Sequence, residues 1–542
     1  MGKMNHLSKL NKLLDSGEAV ISIVVPVRER QNVLRSLYDT LTFHLTLPVY
    51  LWNLGDPEHF RIIECGASDE ERVVLLDGFE VGAAAEVTPG SNALAALKSI
   101  KNSDTNGVFI LENIPSCMQE REGAILRQLL INISSDITAQ KTSKFLILLV
   151  TDEVELPASL SGLIESLELP YPDVSELENL ISTYLPTLIG ATVGADLVQS
   201  LATAAAGLHT EDIKAGLRQA VLDSDGFPGN DVSLVRSLLD YKINRFRSFN
   251  LNFVPEPNVH DFGGLDNLKR FIQDAKRDFQ TDARAANIPL PKGCLLVGSP
   301  GTGKTLAANV SARELGFPLV SIDTGAIVAG GVMYLKRLLN RVEACAPVVL
   351  YFDELDKLFT ALTVSGEDSG SRHILGILLT WLQDKRSAVF VVATLNRLDV
   401  LPPELTRVGR FDEIFYVGFP NAFERKQIIS LHAARFDERY RDGGDSLTQQ
   451  EWKIILNKTV NCTGAELARM VEKAARSLFH SGKPMVIDLP ILLQQRDAIV
   501  PLYMRDTDRI LAIENRARGF AQPASSPDCS EYAPPIKSYW GD

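Results

Sequence analysis

The sequence predicts an α/β fold in which a parallel sheet flanked by helices recurs in the two halves of the chain. Three observations predict it. Short β-rich runs alternate with longer helical patterns through residues 1–172. The same alternation returns over residues 261–420, where the strand-like runs are apolar throughout and lack the polar alternation of a half-exposed strand. A glycine-rich octapeptide, Gly298-Ser299-Pro300-Gly301-Thr302-Gly303-Lys304-Thr305, directly follows the first of those runs and opens a helix.

In chain order, the first α/β domain (1–172) has expected strands at Val20 to Val25, Val49 to Trp52, Gly107 to Leu111 and Lys144 to Val150. From Val174 the pattern turns helical, with small and apolar residues in Leu197 to Ala206 and a helix from Thr210 to Leu222, which defines a helical subdomain over 173–222. Residues 223–260 hold a helix, Val232 to Arg247, and the stretch Val254-Pro255-Glu256-Pro257, whose prolines favour an extended linker. In the second core, 261–420, strands are expected at Cys294 to Val297, Leu319 to Ile322, Val348 to Phe352, Val389 to Ala393 and Ile414 to Val417. Residues 421–519 read as a helical lid and further helices. The tail, 520–542, is rich in Pro and Ser and is expected to be disordered.

With 542 residues, 45% of them hydrophobic, the chain is long enough for two to four domains. A net charge of -13 argues against nucleic acid as a partner, because a phosphate-neutralising surface needs clustered Lys and Arg. The 6 cysteines form no C-x-x-C pair, which points to a reducing compartment and away from zinc or a disulfide framework. No apolar run approaches the roughly 18 residues of a membrane span. Asp15 and Glu18 interrupt the stretch a secretory signal would need, and His6 stands where N-myristoylation requires Ser or Thr. The expectation is a soluble cytoplasmic protein.

The octapeptide is the first candidate site. Its glycines let successive backbone N–H groups wrap phosphates, and the following helix N-terminus adds positive potential. Lys304 is expected to hold the β- and γ-phosphates of ATP, and Thr305 to ligate Mg²⁺. Val348-Val349-Leu350-Tyr351-Phe352-Asp353-Glu354 places two carboxylates at the end of a buried strand, where ligands bind in open α/β sheets. Asp353 is expected to bind Mg²⁺ through its water shell, and Glu354 to orient or deprotonate the attacking water. Asn396 ends the strand after that and is placed to hydrogen-bond the γ-phosphate or the water. Arg407 and Arg410, three apart in Thr406-Arg407-Val408-Gly409-Arg410-Phe411-Asp412, suit phosphate because a guanidinium spreads charge over several oxygens. They lie beyond the Asn396 strand and need not face their own nucleotide.

These segments, in this order, resemble the AAA ATPases of the clade that contains the membrane-protease ATPases and the segregase-type unfoldases. The likeness covers about Asp261 to Ala475. It implies that Phe262 and Gly263 line the adenine pocket and that Gly464-Ala465-Glu466-Leu467 begins the lid helix closing over the nucleotide. It also implies that Arg407 and Arg410 act on the ATP of a neighbouring subunit, in a ring or helical assembly, usually of six. Asp261-Phe262-Gly263 mimics a kinase metal-binding triplet but precedes the P-loop, and there is no H-R-D loop. The helix Ser369 to Gln383, with Leu401-Pro402-Pro403-Glu404-Leu405, looks like the poorly characterised AAA proteins of cyanobacteria and plastid genomes.

Two departures narrow the expectation. Members that thread polypeptides carry an aromatic residue and acidic residues in the loop after the second strand; here the stretch is Ile327-Val328-Ala329-Gly330-Gly331-Val332, leaving Ile327 as the candidate contact. In the first half, Ile21 to Val25 sits where a P-loop strand would, yet no glycine lies between Gly17 and Gly55, so a phosphate cradle cannot form. That half resembles a degenerate copy of the module with one strand-end carboxylate, Glu112; an unrelated α/β domain is the alternative. The expected function is Mg-dependent ATP hydrolysis by an oligomer that remodels a protein or protein complex. The alternative is a nucleotide-switched assembly factor or scaffold that threads little.

Overall fold

A computed structural model of the chain describes residues 8–65, 73–84, 88–140, 143–151, 154, 156–157, 159–223, 231–255, 263–358, 369–407 and 409–533. It divides into two units, Met1–Leu238 and Leu239–Asp542. The division falls inside the helix Asp231–Arg247, within the region expected to link the halves.

The first unit is built on strands β1 (Val20–Val24), β2 (Val49–Trp52), β3 (His59–Cys65), β4 (Val73–Glu80), β5 (Gly107–Glu112), β6 (Lys144–Val150) and β7 (Glu165–Glu168), in the order β4-β3-β2-β5-β6-β1-β7. β7, β1, β6, β5 and β2 run parallel, and β3–β4 is an antiparallel hairpin on the β2 edge. Both faces of the sheet are covered. Phe109 and Leu111 of β5 enter one core cluster, and Val108 and Ile110 enter the other. That two-sided burial explains the unbroken apolar runs. Helices Val174–Ile189, Ala195–Ala205 and Thr210–Asp223 form the expected helical subdomain.

The second unit has β8 (Leu251–Val254), β9 (Gly293–Val297), β10 (Leu319–Ile322), β11 (Val348–Phe352), β12 (Val389–Leu395), β13 (Glu413–Tyr416) and β14 (Gln522–Pro523), in the order β14-β13-β9-β12-β11-β10-β8. β8, just ahead of the predicted extended linker, joins the β10 edge antiparallel. Numbering the five central parallel strands of each unit by chain position gives the same order, fifth-first-fourth-third-second, in both. The first half is therefore a topological copy of the second, as its layout predicts. The lid helices Ala422–Ala433, Gln449–Lys458, Gly464–His480 and Leu489–Asp497 share a core around Trp452, Leu467 and Met470.

Two expectations are corrected. The tail is folded as far as residue 533. β14 pairs with β13, Ala524 N–H donates to Tyr416 O (2.9 Å), and Ala524 O accepts from the N–H groups of Asn267 and Leu268 at 3.1 and 3.2 Å. Backbone pairing along a sheet edge overrides the disorder that its Pro and Ser content suggests. The second correction concerns Ile327, which lies in the helical segment between Asp323 and a kink at Gly331 and is 0% exposed. The helix starts immediately after β10, capped by Asp323, so Ile327 turns into the core and cannot wedge against a polypeptide.

Candidate active site

β9 runs into the octapeptide and the helix Lys304–Leu315 follows it. The loop needs its glycines. Gly301 and Gly303 have φ of +80° and +105°, in the left-handed region, and a Cβ on Gly298 would lie 2.2 Å from Val417 O. Lys304 Nζ donates to the carbonyls of Gly298 and Ser299, both at 2.8 Å, so these two residues hold the lysine from behind rather than lining the cavity. Burial pushes the Lys304 amine down to about 8, against the opposing pull of Asp356, Asp353 and Glu354.

The carboxylates at the end of β11 are fixed by neighbours on β12. Thr394 Oγ1 donates to Asp353 Oδ1 (3.0 Å) and accepts from Glu354 N–H (2.9 Å). Glu354 adopts φ of +49°, a sparsely populated conformation for a residue with a Cβ. Asn396 Nδ2 donates to Glu354 Oε1 (2.9 Å), and Lys357 Nζ reaches Glu354 Oε2 (2.5 Å). Asn396 N–H donates to Asp356 Oδ1 (3.2 Å), a carboxyl that burial pushes up. Among the described residues, Asn396 Oδ1 and Ser299 Oγ are buried without a hydrogen-bond partner.

A cavity of about 480 Å³ joins these groups to the lid. It is lined by Gly263, Pro300 to Thr305, Asp353, Glu354, Thr394 and Asn396, and on the lid side by Ile428, Leu431, His432, Gly464, Ala465 and Ala468. The helix Gly464–His480 starts at a Thr463–Glu466 capping box, which aims its N-terminus at the loop: Ala465 N–H donates to Gly301 O (3.2 Å). Gly263 fits against Gln427, where a Cβ would lie 2.8 Å from Gln427 Cβ. Glycine is the only residue that fits there. Phe262 lies outside the described residues. Arg407 and Arg410 do not line the cavity; Arg407 is exposed and Arg410 donates to Glu404 O within its own turn.

Several lining residues escape a reading of the sequence. Thr394 passes for strand interior, His432 for one residue of an amphipathic helix, and Ser525 lies in the tail. Glu424, which also lines the cavity, does carry a local signal of its placement, in the capping box it forms with Asn421.

In the first unit the same position is filled from within. β1 leads through Val25 to Glu29 into the helix Arg30–Leu45, which Arg30 opens as Lys304 opens the helix after β9. Its Nε and Nη2 fork onto Glu112 Oε1 and Oε2 at 2.5 and 2.8 Å, with Asn53 Nδ2 donating to Glu112 Oε2 (3.0 Å). Glu112 ends β5, the counterpart of β11. The helical subdomain is tied to the same loop: Arg28 pairs with Asp212 (3.0 Å), and Glu29 Oε1 accepts from Glu211 N–H (2.6 Å). Burial pushes the Glu29 carboxyl up.

Comparison with known proteins matches residues 294–419 to the ATPase family associated with various cellular activities (AAA), and residues 6–169 to the SpoVK-like AAA ATPase, N-terminal domain. The chain is 27% identical to the AAA domain-containing protein ycf46 of Pyropia yezoensis over 94% of this chain and 97% of that protein. It is 28% identical to ycf46 of Trieres chinensis over 82% and 87%, respectively. Against Cell division control protein 48 homolog C of Arabidopsis thaliana it is 33% identical, over 41% of this chain and 27% of the relative. The chain thus carries an AAA domain behind a SpoVK-type N-terminal domain, and that content supports ATPase activity. No helix among the described residues is long and apolar enough to cross a membrane.

Proposed function

We propose that this AAA-domain chain hydrolyses ATP with Mg²⁺ at one site, in the second unit, as an oligomer in which each site is completed by a neighbouring copy, and that turnover remodels a protein or protein complex. The observation that carries the reading is the pairing of Glu354 with Asn396 in the wall of the cavity that the glycine loop also lines, while Arg407 and Arg410 stand outside the cavity of their own chain. The loop amides and Lys304 bind phosphate, and Gly464 and Ala465 close the site from the lid. Thr305, and Asp353 through a water, would hold Mg²⁺, which would supply positive charge to the transferred phosphoryl group. Glu354 takes the proton of the water, and Asn396 accepts a hydrogen bond from it. Arg407 and Arg410 of the adjacent copy neutralise charge on the leaving phosphate, an effect worth about 10³- to 10⁵-fold in turnover. A ring of six is the expected assembly, in the cytoplasm or a plastid stroma.

The burial of Ile327 favours a second reading, a nucleotide-switched assembly factor or scaffold that moves little polypeptide. The two readings share the catalytic site and differ in what the cycle drives.

The site is tested by mixing two inactive variants. Glu354→Gln subunits keep Arg407, and Arg407→Ala subunits keep Glu354, so mixed assemblies contain some interfaces with both. Restored turnover on mixing is expected. If each variant is inactive alone and the mixture is also inactive, Arg407 does not act across an interface.

A further inference from the structure

Tyr351 is a core aromatic by burial, 4% exposed and clustered with Val349, Ala307 and Val392, yet its hydroxyl emerges between two residues that the proposed function assigns to the cation. It sits two positions before Asp353 on β11, so the two side chains leave the sheet on the same face. The Tyr351 hydroxyl is 2.8 Å from Asp353 Oδ1 and 3.2 Å from Thr305 Oγ1. A phenol has one proton, and an ionised carboxylate can only accept. The proton therefore goes to Asp353, and Thr305 donates its own to the Tyr351 oxygen.

The consequence is directional. With its proton turned into the protein, Thr305 Oγ1 presents lone pairs rather than a proton to the cavity it lines. Asp353 Oδ1 already accepts from Tyr351 and from Thr394, so Oδ2 is the carboxylate oxygen that would meet a cation or its waters. Groups that orient metal ligands in this way commonly change metal affinity by about 10- to 100-fold when removed.

We propose that Tyr351 is a positioning residue for the divalent cation, setting the rotor of Thr305 and the orientation of Asp353 before nucleotide arrives. The inference rests on the assignment of Thr305 and Asp353 to Mg²⁺. It is tested with Tyr351→Phe in the full chain, a change that keeps the ring in the core and removes only the hydroxyl. Binding of a fluorescent ADP is titrated in EDTA and then across a Mg²⁺ series, and Mn²⁺ bound to the ADP complex is counted by EPR. The expected result is ADP affinity in EDTA within about twofold of wild type, with the Mg²⁺ and Mn²⁺ midpoints raised about 10-fold. Midpoints equal to wild type overturn the proposal, as does an equal loss of affinity with and without metal, which assigns the hydroxyl to packing. A wild-type protein that binds ADP without any tightening by Mg²⁺ would instead refute the assignment of the cation site, and this inference with it.

Discussion

Replacing Arg30 by Met tests whether the first unit is held together where the second would hold nucleotide. Glu112 is 5% exposed and accepts three hydrogen bonds, two from the Arg30 fork and one from Asn53. Removing Arg30 leaves a buried carboxylate with one neutral donor. Breaking a buried pair by removing one partner costs about 3–5 kcal/mol, most of it the uncompensated charge. The Arg30 side chain keeps 27% of its surface in solvent, so water can partly replace it and the lower end, about 3 kcal/mol, is expected. For a unit of this size that is a fall of about 6–12 °C in its melting temperature. Glu112→Gln added to Arg30→Met removes the stranded charge and should recover most of the loss, to within about 1 kcal/mol of wild type. Differential scanning calorimetry, with hydrogen exchange of β5 to assign the transition, measures both. A single variant as stable as wild type, or a double variant no better than the single, would refute the view that this ion pair stands in for a ligand.

Two further predictions concern the second unit. Lys304 is charged below about 8 in the free protein and neutral above it, and phosphate restores the charge, so binding takes up a proton at alkaline pH. ADP affinity should stay level to about pH 8 and then fall by up to about tenfold per unit, whereas Lys304→Arg should show no such break; a level wild-type profile by calorimetry to pH 9.5 contradicts the assignment. Asn267 Nδ2 donates to Pro523 O and Ser525 O at 3.0 and 3.2 Å, and Ser525 lines the cavity. Asn267→Ala should lower hydrogen-exchange protection of residues 520–533 by roughly 30-fold, from two bonds of about 1 kcal/mol each, and weaken ADP several-fold. Unchanged exchange there would show that the strand pairing alone holds the segment.

The parts of the site that could be read from the sequence are those whose chemistry and backbone needs lie close together in the chain. The octapeptide declares itself because Gly301 and Gly303 need positive φ and Lys304 follows at once. Asp353 and Glu354 declare themselves because two carboxylates cap an apolar strand. Ser525 is hidden, since its place depends on β14 finding the β13 edge more than a hundred residues away. Tyr351 is hidden for another reason: an aromatic in a buried strand is what packing alone would select, and only its hydroxyl contacts separate the two roles. Ile327 is buried because Asp323, a good N-cap, starts a helix at once, and the chain leaves helical geometry only at Gly331.

The two units together separate what a fold supplies from what a site requires. Both place the end of their first parallel strand next to the fourth, where open α/β sheets bind ligands. In the second unit the chain leaves that strand through glycines, so backbone N–H groups turn inward and the long cation, Lys304, rests on carbonyls it can release. In the first unit the exit is Val25-Pro26 into a short 3₁₀ turn, Val27–Glu29, where the N-cap Pro26 has no N–H to offer, and the long cation, Arg30, is engaged by both oxygens of Glu112. Glycines alone would not restore phosphate binding there, because Arg30 would have to leave a buried carboxylate to meet it. The ion pair and the proline at the strand exit are separate departures from the second unit's arrangement, so reversing one would leave the other in place.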